Sequence, residues 1–105
     1  MFIAAWSFDM KWGTREETVR LMKEYEVAEQ KGWKSTSARV LVGSIGAPES
    51  RVIVEHSFES LADLESSWDA LHKNADLFTK WVSQAKNVIM GGTPRWEIYR
   101  VVAER

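Results

Sequence analysis

At 105 residues the chain has room for one domain with a modest core. Lys and Arg total 14 and Asp and Glu total 15, a net charge of -1 that speaks against the strong basic field of a nucleic-acid binder or a polybasic membrane patch. There is no cysteine, which excludes disulfides, thiol nucleophiles and thiolate metal sites and suits a reducing compartment, so the expected location is cytoplasmic.

The opening stretch MFIAAWSFDM is too short for a signal core. No apolar run approaches the roughly 20 residues a membrane helix needs. Phe2, Ala4, Trp6 and Phe8 alternate with Ile3, Ala5 and Ser7. That is a strand apolar on both sides, and it predicts cover on both. A turn is expected over Asp9 to Gly13. Thr14 then forms a capping box with Glu17, and Thr18, Leu21, Met22, Tyr25 and Ala28 recur at helical spacing. Gly32 is the expected end of that helix.

Ser37 to Ile45 reads as a second strand, with Ala38, Val40 and Val42 on one side and Arg39, Leu41, Gly43 and Ile45 on the other. The turn composition of GAPES (Gly46 to Ser50) leads straight into RVIVEHSF (Arg51 to Phe58), so a hairpin is predicted. Val52, Val54, His56 and Phe58 share one side of the third strand. Ser60 is the expected N-cap of the next helix, with Asp63 placed to favour its dipole. Leu61, Leu64, Trp68 and Leu71 make its apolar stripe, and a break is expected at Asn74 to Asp76. Phe78, Trp81, Val82 and Ala85 mark the continuation. GGTP (Gly91 to Pro94) interrupts the chain before a last strand over Arg95 to Val102.

The order β-α-β-β-α-β over residues 1–105 predicts a single α+β domain of ferredoxin-like type, an antiparallel four-stranded sheet with its helices on one face. The other face still carries Ile3, Ala5, Leu41, Ile45, Ile53, Tyr99 and Val101. In projection it covers roughly 400 Å², at the upper end of what a lone molecule exposes. Sheet-to-sheet pairing of two copies, a homodimer, is the expected cover. Arg39, Arg51, Glu55 and Glu97 fall on the same face, to pair across such an interface or to line its solvated rim.

The element order, the segment HSFESLADLESSW (His56 to Trp68) and the closing strand WEIYRVV (Trp96 to Val102) resemble the dimeric α+β barrel superfamily, in particular its NIPSNAP-like and stress-responsive members. The resemblance implies fold and dimerisation. Its members include cofactor-free monooxygenases, haem-degrading enzymes and small isomerases, so it implies no single reaction.

His56 is the one candidate catalytic residue, an imidazole placed by alternation on the helix side. Three roles stand open for it: a hydrogen-bonded structural residue, an acid/base or polar anchor in a pocket, or a metal or haem ligand. His72 reads as a helix-terminus residue, and two histidines do not make a metal site. No cofactor-binding motif is present. Trp6, Trp68, Trp81 and Trp96 are placed to wall a pocket between sheet and helices, with Tyr25, His56 and Arg100 as its polar members; plain core packing is the alternative for the rings. Two functions follow: a dimeric barrel binding a small apolar or aromatic molecule, or a cofactor-free monooxygenase or isomerase with His56 as acid/base.

Overall fold

The computed structural model describes residues 1–24, 32–73 and 75–104. Its elements run β1 (Phe2–Asp9), α1 (Arg15–Glu24), β2 (Ser37–Val42), β3 (Arg51–Phe58), α2 (Leu61–Lys73), α3 (Ala75–Ala85) and β4 (Arg95–Arg100). The strands form one sheet in the order β2-β3-β1-β4, every neighbour antiparallel. This is the ferredoxin-like arrangement, with the long second helical region split where a break was expected.

Register decides what each face carries. Across the centre, Ala4 opposes His56, Trp6 opposes Val54 and Phe8 opposes Val52. On the other flank of β1, Trp6 opposes Trp96. These residues face the helices. Phe8, Val52, Leu21, Met22 and Val88 build the larger core cluster, and Ala4, Phe58 and Leu64 a smaller one. Full burial of a ring such as Phe8 or Phe58 stabilises the fold by about 1.5–3 kcal/mol.

Both helix starts fall where the sequence puts them. The Ser60 hydroxyl accepts the Asp63 backbone N–H at 3.1 Å, an N-cap. At Thr14 the hydroxyl turns back and donates to the Lys11 carbonyl at 2.6 Å. Thr18, Leu21 and Met22 are buried as their spacing predicts. Tyr25 and Ala28, the other two residues of that stripe, lie outside the described residues.

Two strands end early. β2 stops at Val42 rather than Ile45, because Gly43 to Ser50 folds back on itself. The Ala47 N–H bonds the Ser44 carbonyl and Gly46 sits at φ 84°, so Ile45 is wholly exposed. β4 stops at Arg100 rather than Val102. Val101 still bonds the Met1 carbonyl through its N–H, but the strand pairing ends there.

The face turned away from the helices is mixed in character. Ile3, Leu41 and Ile53 are half-buried, and Tyr99 is 53% exposed. Beside them the Arg39 Nε donates to Glu55 Oε1 at 2.6 Å across the β2–β3 pair, and Arg51 meets Asp9 at 3.5 Å. Glu97 takes the Tyr99 hydroxyl at 2.9 Å and lies 3.3 Å from Arg95. Ile45 and Val101, expected to extend the apolar area, lie beyond the strand ends. No helix among the described residues is long and apolar enough to cross a membrane.

Candidate functional site

Between the helix-facing side of the sheet and the helices lies a chamber of about 730 Å³. Strand alternation aims Trp6 of β1, Val54 and His56 of β3 and Trp96 of β4 into it. Helical spacing brings Trp68 and Leu71 from α2 and Trp81 and Val82 from α3 against them. The indoles are in serial contact: Trp81 to Trp6 at 5.7 Å between ring centres, Trp6 to Trp96 at 6.2 Å, and Trp96 to Trp68 at 5.5 Å. The wall is therefore one continuous aromatic surface, suited to flat or apolar bodies.

His56 closes one end. Its residue surface is 6% exposed, and burial without a counter-charge lowers its pKa to about 4. At neutral pH it is an uncharged imidazole. No hydrogen bond among the described residues engages it, and Nδ1 is sealed from solvent with no partner. Trp33 packs against it at 5.3 Å in an edge-to-face geometry, and the Trp33 Nε1 is buried and unpartnered as well. Each such atom costs about 1–3 kcal/mol when nothing satisfies it.

Trp33 reaches this position through a pinned loop. The Lys34 N–H donates to the buried Ser67 hydroxyl at 2.9 Å, and that hydroxyl donates to the Asp63 carbonyl at 2.7 Å. The Thr36 N–H bonds the Ser57 carbonyl at 2.8 Å. The loop enters at Gly32, φ 93°, where a Cβ would stand 2.8 Å from that of Ala70 on α2. Trp33 follows no helical or strand period, so pattern reading passes over it. The available signal was a tryptophan directly after Gly32, the glycine expected to end the first helix.

Lys11, Lys86 and Gly91 border the opposite end of the chamber, and His72 of α2 also lines it. Lys11 extends its ammonium to the Lys86 carbonyl at 3.2 Å, just past the C-terminus of α3. Sequence reading named neither lysine, because both are exposed residues in turns.

Of the sequence-based candidates, His56, Trp6, Trp68, Trp81 and Trp96 meet in this one chamber. Arg100 does not reach it. Its guanidinium lies over the Phe2 ring at 5.2 Å and borders a separate groove of about 550 Å³ with Leu61 and Ile98. Tyr25 lies outside the described residues. Among the described residues no group of three or more His, Cys, Asp or Glu side chains stands close enough to hold a metal ion. Haem fits poorly too. An axial imidazole must stand clear of the pocket wall to meet iron, whereas His56 is almost wholly covered by protein.

No family model matches the sequence, and no curated protein matches it. Solved structures do match in shape. A NIPSNAP-like domain protein from Burkholderia xenovorans superposes with a TM-score of 0.73 at 13% identity, over 97% of this chain and 85% of that one. A NIPSNAP family protein from Agrobacterium tumefaciens gives 0.71 at 19% identity, over 94% and 90%. A candidate antibiotic biosynthesis monooxygenase from Deinococcus radiodurans gives 0.65 at 12% identity, over 100% and 96%. At such identities the likeness concerns backbone architecture and carries no activity with it. The chain thus shares its ferredoxin-like fold with NIPSNAP-type and antibiotic-biosynthesis-monooxygenase-type structures.

Proposed function

We propose that this protein binds a small apolar or aromatic molecule in the chamber between sheet and helices, and that it works as a homodimer paired through the open face of the sheet. One observation carries the binding reading: a chamber of about 730 Å³ walled by serial tryptophans, with two buried polar atoms beside it that the described chain leaves unsatisfied. A filled core would leave no such chamber. Val82→Trp, which places an indole inside the chamber, tests it. Calorimetric titration with a panel of apolar and aromatic compounds should show binding to the wild type and at least tenfold weaker binding to the variant, with its melting cooperativity retained. A panel that fails to bind the wild type at millimolar concentration overturns the reading.

The second reading is a cofactor-free monooxygenase or isomerase with His56 as acid/base. The uncharged imidazole at the chamber's end favours it, since only an unprotonated histidine can take a proton. Two features count against it. A pKa near 4 makes a weak base at neutral pH, and no second polar side chain among the described residues is hydrogen-bonded to the ring. His56→Gln decides between the two. Wild-type turnover that is lost in the variant with binding retained supports the enzyme; binding without turnover in the wild type supports the binding protein.

A further inference from the structure

Besides His72 of α2, the polar residues lining the chamber stand at its two ends, and the ends differ. At the inner end stand His56 and Trp33, both uncharged. At the mouth stand Lys11 and Lys86, and among the described residues that line the chamber none is Asp or Glu, although the chain holds 15 of them. The lysines are neighbours: the Lys11 ammonium bonds the Lys86 carbonyl at 3.2 Å. That carbonyl belongs to the turn closing α3, so it partly offsets the Lys11 charge, while the Lys86 ammonium stays exposed.

The ends are also far apart. His56 pairs with Ala4 of β1, and Lys11 follows that strand's other end, where Met10 bridges Ile89. Extended chain from Ala4 to Lys11 covers roughly 20 Å. Trp6 and Trp96 lie between.

A charged group cannot enter the aromatic section unpaired, because burying an unpaired charge costs several kcal/mol. It can remain at the mouth, and there the charged side chains are both cations. We propose that the chamber selects an elongated apolar carboxylate, its carboxylate held between Lys11 and Lys86 and its apolar body laid along the tryptophans toward His56. This rests on the chamber being a binding site and adds the charge, length and direction of what it takes.

The test compares decanoate with decanol, and phenylhexanoate with phenylhexanol, by isothermal titration of the full chain below their self-association concentrations. The expected result is that each acid binds about fivefold or more tightly than its alcohol at low salt, the scale of two partly exposed ion pairs. Raising the salt should weaken the acids and leave the alcohols unchanged. The double variant Lys11→Gln/Lys86→Gln should bring the acids down to the alcohols; melting curves check its folding, and Lys86→Gln alone, at an exposed position, serves if the double variant melts early. Acids and alcohols binding alike, in wild type and variants, overturn the carboxylate assignment while leaving the chamber a binding site. Neither class binding the wild type overturns both.

Discussion

His56 couples the chamber to pH. Its folded pKa is lowered to about 4, from an ordinary value near 6.5. Between those values the unfolded chain takes up a proton that the folded protein refuses. Stability is therefore intact above about pH 6.5 and falls as the pH drops toward 4, by about 3 kcal/mol in all. Urea unfolding across that range should show the loss, and His56→Leu should flatten it; equal slopes in both proteins would mean the imidazole titrates freely. Ser67 is a quieter case. It accepts the Lys34 N–H from within α2 and so seats Trp33. Ser67→Ala strands that donor and should cost about 1–3 kcal/mol, visible as a lower melting temperature. Alternation alone placed His56 on the helix side. Ser67 and Trp33 were illegible, because their partners come from distant loop backbone and not from any period in the sequence.

Among the elements, the β2–β3 hairpin shows where pattern reading works and where it stops. Which residues of β3 face the helices followed directly from alternation in RVIVEHSF, and Val52, Val54, His56 and Phe58 are its buried set. The end of β2 did not follow. Leu41, Gly43 and Ile45 continue the alternation on paper, but a turn at Ser44 to Ala47 takes the backbone out of the sheet. Gly43 makes that possible: a Cβ there would stand 1.6 Å from the Pro48 carbonyl oxygen. Gly43→Ala must push backbone apart and should destabilise by about 2–3 kcal/mol, lowering Tm by roughly 10–20 °C. An unchanged Tm would show that the loop has room to relax. The split between α2 and α3 was legible from the polar interruption at Asn74 to Asp76, and the Ser60 cap from its own residue type.

At the scale of the whole molecule, topology was readable and surface chemistry less so. The order of strands and helices fixes which sheet face the helices cover, and both core clusters lie on that face. The reverse face is less apolar than alternation suggested, because Ile45 and Val101 fall off the strand ends and ion pairs flank Ile3, Leu41 and Ile53. An apolar centre with a charged surround suits an interface between two copies. Sedimentation should give a dimer at micromolar concentration, and Ile53→Lys should shift it to monomer by placing a charge at that centre. A monomeric wild type would remove the second copy from the account. It would leave the chamber standing, since all of its described lining comes from one chain.

The serial contact of Trp81, Trp6, Trp96 and Trp68 has an optical consequence. Indoles this close share excitation, so light absorbed by one ring is emitted from whichever holds the lowest energy. A guest that touches a single ring then alters the emission of the whole set. The protein carries its own label-free reporter of occupancy, and its near-ultraviolet circular dichroism should change on binding before any backbone signal does.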